Sequence, residues 1–210
     1  MTDLVRDRIL AEALDEIRQT GFSHETLQNA ASRSGISRRE LNDAFPDGPA
    51  TLVEAFSHWA DRLMAERVAV EPEQAHLRER VAGAVRARIE VLNPHKEAAR
   101  RAAAFLAMPH NAPLGAKLMM RTVDAIWRAA GDKSSDFSWY TKRAILAAVY
   151  GTTLAYWLTD ASEGNSATWT FLGHRIDDVM QFEKFRSTAM KAVESLPDPF
   201  GVLRALRGNR

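Results

Sequence analysis

The nearest approach to a metal-binding pattern in this chain is Glu73-Gln74-Ala75-His76. Glu-x-x-His sets a carboxylate and an imidazole one helical turn apart, and a di-iron helical bundle needs that motif twice plus two further helix carboxylates. Here it occurs once, beside Pro72 in a polar linker, and reads as a surface coincidence. His110 lies between Pro109 and Asn111, where an imidazole caps a helix or steadies a turn more readily than it moves a proton. The chain has six histidines and no cysteine, which excludes thiol nucleophiles, zinc–thiolate sites and disulfides. No nucleophile elbow, phosphate-cradling loop or zinc spacing occurs. No catalytic residue, metal ligand or cofactor is expected.

Other side chains are suited to binding. Trp139 and Tyr140 stand beside Lys142 and Arg143, just after the polar loop Gly131-Asp132-Lys133-Ser134-Ser135-Asp136. Two large aromatics rimmed by charge make a pocket mouth or a docking patch. Upstream, Leu114 to Ala130 separates into two faces. Met119, Val123, Ile126, Trp127 and Ala130 line one, and Lys117, Arg121, Asp124 and Arg128 the other. The polar face is equally readable as a ladder of i,i+3 and i,i+4 ion pairs. Near the C-terminus Phe182, Phe185, Ala189, Val193 and Leu196 form an apolar stripe. Residues 182–210 carry six basic and three acidic side chains, a net of +3. Such a segment can lie on an anionic bilayer surface or dock on a protein core.

The elements that must position these residues are helices throughout, because apolar positions recur at 3.6-residue spacing and strand signals are almost absent. Asp3 is expected to cap a first helix with Leu4, Ile9, Leu10, Ala13, Leu14 and Ile17 inward, ending near Gly21. Ser23 and Ser37 start two short helices, and Asp47-Gly48-Pro49 turns into a longer one through Phe56 and Met64. Leu77–Leu92, Glu97–Met108, Leu114–Ala130 and a helix from Ser166 follow, and a last one runs from Phe182 to Leu196. From Ala144 to Leu158 the chain is apolar on every side except at Gly151-Thr152-Thr153, which predicts a central helix buried all round. That run falls short of the roughly 18 apolar residues a membrane span needs. The acidic N-terminal residues Asp3, Asp7, Glu12 and Asp15 fit no signal or transit peptide. The expected organisation is a head over 1–48, a body over 49–196 and a basic, apolar tail over 197–210.

The layout of three short helices and a long connector, with Gly21-Phe22 and Gly35-Ile36-Ser37, resembles the N-terminal head of TetR-type repressors. Met108-Pro109-His110-Asn111-Ala112-Pro113, Trp127-Arg128-Ala129-Ala130-Gly131-Asp132 and the Trp139-Tyr140 segment together resemble the lipid-binding accessory proteins of coenzyme Q (ubiquinone) biosynthesis, which have a TetR-like fold. The resemblance implies an all-α, TetR-like helical bundle with a three-helix, helix-turn-helix-like head. It implies a homodimer through the last body helices and a non-catalytic role: binding a polyprenylated quinone precursor or phospholipid and presenting it to a di-iron quinone hydroxylase. It turns Met108, Met119, Trp127, Leu146, Tyr150 and Trp157 from ordinary core into candidate walls of a lipid cavity. It assigns Asp124, Trp139, Tyr140 and Arg143 to the patch where the hydroxylase docks, and Phe182, Phe185, Val193 and Leu196 to a peripheral membrane contact. The implied location is the cytoplasm, at the inner membrane of a bacterium.

The alternative is a TetR-type repressor with a lipophilic effector pocket. Charge weighs against it. Residues 1–58 hold six Lys/Arg against ten Asp/Glu, a net of −4. The would-be recognition helix carries Glu40 and Asp43 beside Arg38 and Arg39, and Ala44 where such readers usually place an aromatic. Carboxylates facing phosphates repel them, so DNA is not an expected partner.

Overall fold

The computed structural model describes residues 2–70, 76–132 and 138–178. The described residues are helical, without strands. They fall into a compact unit over residues 1–172 and a second over 173–210. The boundary expected at residue 48 thus falls inside the first unit. Of the second unit only 173–178 are described; they are helical, with Arg175 Nη2 2.7 Å from Asp178 Oδ2.

The head is α1 (Thr2–Thr20), α2 (His24–Arg33) and α3 (Arg38–Ala44), and the long α4 (Pro49–Val70) leads out of it. α1 already begins at Thr2, so Asp3 is not its cap, and Leu4 is exposed, outside the inward face of Ile9, Leu10, Ala13 and Ile17. Gly21 ends α1 at φ +72°, a left-handed conformation that suits a residue without Cβ. Ser23 caps α2 by accepting the Thr26 N–H at 3.1 Å. α3 has a full capping box: Ser37 Oγ accepts the Glu40 N–H, and Glu40 Oε2 accepts the Ser37 N–H at 2.9 Å. Glu40 therefore serves the helix terminus as well as setting charge.

The body contains α5 (Leu77–Leu92), α6 (Lys96–Ala107), α7 (Ala112–Ala129) and α8 (Ser138–Thr159), with a further helix starting at 166. α4 packs along both α5 and α7, and α8 lies on α7. The α6–α7 turn is steadied by Asn111, whose Nδ2 donates to Phe105 O at 2.9 Å; its neighbour His110 is exposed. The C-terminal end of α8 is pinned to the α5–α6 corner. Lys96 Nζ donates to Asp160 O at 2.6 Å, Arg100 Nη2 to Leu158 O at 2.8 Å, and Trp157 Nε1 to Asn93 Oδ1 at 2.9 Å. Cations at a helix C-terminus satisfy its last carbonyls.

α8 is not buried on every side as its composition predicts. Leu146, Val149, Tyr150, Thr153 and Trp157 face in, whereas Ala144, Ala148, Ala155 and Tyr156 are exposed and Ile145, Leu154 and Leu158 half-buried. An all-apolar helix must be covered on both faces, but one chain's sequence does not say whether the second cover is its own. Thr152 and Thr153 donate back to Ala148 O and Val149 O, both at 2.7 Å, which removes the polar cost of placing them mid-helix.

Candidate functional site

On the inner face of α5 run Val81, Ala84, Val85, Arg88 and Leu92, all buried. Four of these are apolar. The fifth, Arg88, is 5 % exposed, and a cation on an apolar stripe must be paired where it lands. Its Nε donates to Asp61 Oδ1 at 2.7 Å, and its Nη2 to Ser57 Oγ and Thr122 Oγ1, each at 3.2 Å. Its Nη1 donates to the Tyr150 hydroxyl, and the guanidinium lies 5.1 Å from the centre of the Tyr150 ring. Thr122 Oγ1 donates in turn to Asp61 Oδ1 at 3.0 Å. The cluster joins α4, α5, α7 and α8. Burial works against the Arg88 charge and the Asp61 carboxylate works for it, leaving its pKa raised above the ordinary value. Burial also raises the Tyr150 phenol, so that side chain keeps its proton at neutral pH.

Above this cluster lies a cavity of about 100 Å³. Buried Val53, Phe56, Leu92, Ala102 and Leu118 continue its inner wall, and half-buried Leu106, Met119 and Leu154 form its outer part. A mostly apolar hole with a few polar groups has the make-up of a ligand site, at a volume below the roughly 300–1,000 Å³ usual for one. Its volume is on the scale of one ring, since an engineered apolar cavity of roughly 150 Å³ takes a benzene.

Of the six residues expected to line a lipid cavity, Met119 and Tyr150 line this one and the other four do not. Met108 is the C-cap of α6 and 39 % exposed, because the helix stops before the Pro109 turn. Leu146 is packed in the interior away from the cavity. Trp157 is buried, with its indole N–H tied to Asn93. Trp127 is half-buried with Lys142 Nζ 5.6 Å from its ring centre. Arg88 and Asp61, the centre of the site, were not anticipated; the signal was the cation within the apolar stripe of α5.

The residues of the expected docking patch divide. Arg143 is 5 % exposed and grips Asp124 Oδ1 through Nε at 3.0 Å and Nη2 at 2.6 Å, tying α8 to α7. Arg128 Nη2 meets the other Asp124 oxygen at 2.7 Å. Among the described residues only Asp124–Arg128 is a pair within the helix; Lys117 and Arg121 pair instead with Glu54 of α4, at 2.9 and 3.3 Å. Tyr140 is 70 % exposed at the start of α8. The Trp139 side chain lies outside the described residues, as do Phe182, Phe185, Val193, Leu196 and the Glu73-Gln74-Ala75 part of the Glu-x-x-His motif. Among the described residues no cluster of three or more metal-type ligands occurs, and no helix is long and apolar enough to cross a membrane.

Residues 112–183 match the family model described as COQ9. The chain is 32% identical to the mitochondrial ubiquinone biosynthesis protein COQ9 of Homo sapiens over 97% of its own length and 68% of that protein's. Identity to the protein of that name from Rattus norvegicus is also 32%, over 97% of this chain and 69% of the relative. Among solved structures, a TetR transcriptional regulator from Nitrosomonas europaea superposes with a TM-score of 0.64, at 22% identity, over 82% of this chain and 95% of that one. A TetR-family regulator from Streptomyces coelicolor gives 0.55 at 20% identity, over 96% and 95%. At such identities these two show the fold alone, and the all-α, TetR-like expectation holds. The expected cytoplasmic location at a bacterial inner membrane is overturned, because the relatives are mitochondrial proteins.

Proposed function

The chain belongs to the COQ9 family, and from that premise we infer that it acts in ubiquinone biosynthesis as a non-catalytic, lipid-binding accessory protein. It binds a polyprenylated quinone intermediate and presents it to the di-iron quinone hydroxylase. The observation that carries this reading is the body cavity, walled mostly by apolar side chains with Ser57, Arg88, Thr122 and Tyr150 among them. A soluble enzyme cannot draw such a precursor from a bilayer unaided, because each CH₂ leaving an apolar phase costs roughly 0.8 kcal/mol. The cavity, open on one side, takes a ring-sized end, so loading a longer body requires it to widen at half-buried Leu106, Met119 and Leu154. Tyr140 and the charges beside it supply the docking patch for the hydroxylase. The open apolar face of α8 supports a homodimer, and the 182–196 stripe supports peripheral membrane contact.

Mass spectrometry of the intact protein under non-denaturing conditions tests the reading. An isoprenoid quinone precursor or phospholipid should leave the purified protein with it. A chain that comes lipid-free and takes up no polyprenylated compound overturns the carrier role. Trp139→Ala and Tyr140→Ala should keep helicity and lose hydroxylase binding by about 2 kcal/mol or more, the cost of truncating a hot spot. Unfolding in either variant would assign these residues to the core.

A further inference from the structure

Many polar side chains of the head serve its fold. Ser23, Ser37 and Glu40 cap helices, and Arg6, Arg8 and Arg33 grip carbonyls and carboxylates. A groove of about 440 Å³ between α2 and α3 is lined by polar side chains that do not. His24, Gln28 and Ser32 stand one turn apart along α2, and Arg38 and Asn42 one turn apart on α3. All five are exposed, and none has a hydrogen-bond or ion-pair partner for its side chain among the described residues. The buried residues of the lining, among them Leu27, Leu41 and Phe45, carry no polar side chain. The groove therefore has an apolar floor and a polar rim. The His24 ring packs on Gly48, where a Cβ would stand 2.5 Å from its Cε1, so the glycine leaves the imidazole its place on the rim.

Of the residues lining the groove none is acidic, and Arg38 alone is permanently charged. A guanidinium takes a carboxylate or a phosphate through two parallel hydrogen bonds. The carboxamides and the hydroxyl offer donors and acceptors alike. The volume falls within the roughly 300–1,000 Å³ of ordinary ligand sites. We propose that this groove is a second binding site, for a small organic anion with a flat apolar part. The anionic group meets Arg38, the apolar part lies over Leu27, Leu41 and Phe45, and further polar atoms meet Gln28 and Asn42. One cation serves one anionic group, and the head's excess of carboxylates disfavours a polyanion. The site is separate from the body cavity and does not depend on the lipid-carrier reading.

Phenyl phosphate and benzoate probe the groove, with benzyl alcohol as an uncharged ring and inorganic phosphate as an anion without one. The amide NMR shifts of the full-length protein both locate and measure binding. The two ring anions should shift the amides of Leu27, Ala31 and Asn42 and bind more tightly than benzyl alcohol or inorganic phosphate. The tighter of the two tells whether the anionic group is a phosphate or a carboxylate. Arg38→Ala should weaken both about tenfold or more, the factor a charge-assisted hydrogen bond confers. Arg39→Ala removes the neighbouring cation, which does not line the groove, and should leave binding nearly unchanged. Both positions are exposed, and thermal unfolding checks that both variants are folded. Equal losses in the two variants would mean a diffuse field and no site. Benzyl alcohol binding as tightly as the anions would remove Arg38 from recognition. Either result overturns the proposal, as does the absence of shifts in α2 and α3 with every probe. Duplex DNA that moved the same amides with nanomolar affinity would give the groove to a nucleic acid and overturn it too.

Discussion

Arg33 in the head reaches from α2 to α1, where it meets Glu16 Oε2 at 2.9 Å and Glu12 O at 2.7 Å with half its side chain in water. Arg88 in the body donates to Asp61, Ser57, Thr122 and Tyr150 with almost none of its surface in water. Arg6 and Arg8 behave like Arg33, donating to Ala44 O at 2.8 Å and Ser34 O at 2.6 Å. The head thus turns Arg6, Arg8 and Arg33 onto its own helix ends and carboxylates, with solvent on one side. The body encloses one cation among four helices beside a hole. Exposed pairs of the first kind are screened and contribute little. Loss of a partner from the second kind leaves a charge with neither water nor counter-ion.

The largest effect should follow from separating the buried pair. Asp61→Leu leaves Arg88 uncompensated and should lower stability by about 3–5 kcal/mol. Asp61→Leu combined with Arg88→Met should recover most of that loss, since an apolar pair of similar volume needs no counter-charge. Urea unfolding of the two variants measures both. A single variant within about 1 kcal/mol of the parent would mean that Arg88 finds water, contrary to its burial.

Local signals told most of the fold. Ser23 and Ser37 mark the starts of α2 and α3 because a cap is read from a residue and its next three neighbours. Pro94 marks the end of α5 for an equally local reason. The site was less legible, because periodicity names a face but not what the face meets. Met119 and Trp127 share a face of α7, yet only Met119 reaches the cavity. Trp157 and Tyr150 lie two turns apart on α8; one is pinned to Asn93 and the other joins the Arg88 cluster. Arg88 was legible in principle, since its neighbours at i−7, i−4, i−3 and i+4 are all apolar.

In the head the largest loss should come from a cap. Ser37→Ala removes the acceptor for the Glu40 N–H and releases Glu40 from the Ser37 hydroxyl. The expected cost is about 1 kcal/mol by urea unfolding, well below that of Asp61→Leu. Equality of the two would erase the contrast between head and body.

Both regions also use a carboxylate to close a turn, which allows a smaller comparison by pH. Asp160 accepts from Thr168 Oγ1 at 2.6 Å, Thr168 N at 3.0 Å and Ser162 N at 2.8 Å; those bonds, from Thr168 first, hold its pKa far below the usual range. Glu40 accepts only from Ser37, and its pKa is lowered by that hydroxyl and N–H. A carboxylate depressed in the folded state adds stability that is present above its unfolded pKa of about 4 and is lost as pH falls below it. The fall in stability from pH 5 towards pH 2 should therefore flatten more in Asp160→Asn than in Glu40→Gln. The reverse order would place the stronger acid-sensitive turn in the head.

The smallest effect belongs to Arg38 and Arg39. Both are exposed on α3, and neither has a polar partner among the described residues. Arg38→Ala with Arg39→Ala should change stability by no more than about 0.5 kcal/mol, as surface substitutions away from caps and networks do. The pair also isolates the question the TetR-like fold raises about DNA, since these are the two cations that α3 presents, next to Glu40 and Asp43. Fluorescence anisotropy with duplex DNA at low salt should find weak binding that the double substitution barely alters. Specific binding in the nanomolar range, weakened by salt and abolished by the two alanines, would show that two cations outweigh the head's excess of carboxylates, and it would favour a repressor over a lipid carrier.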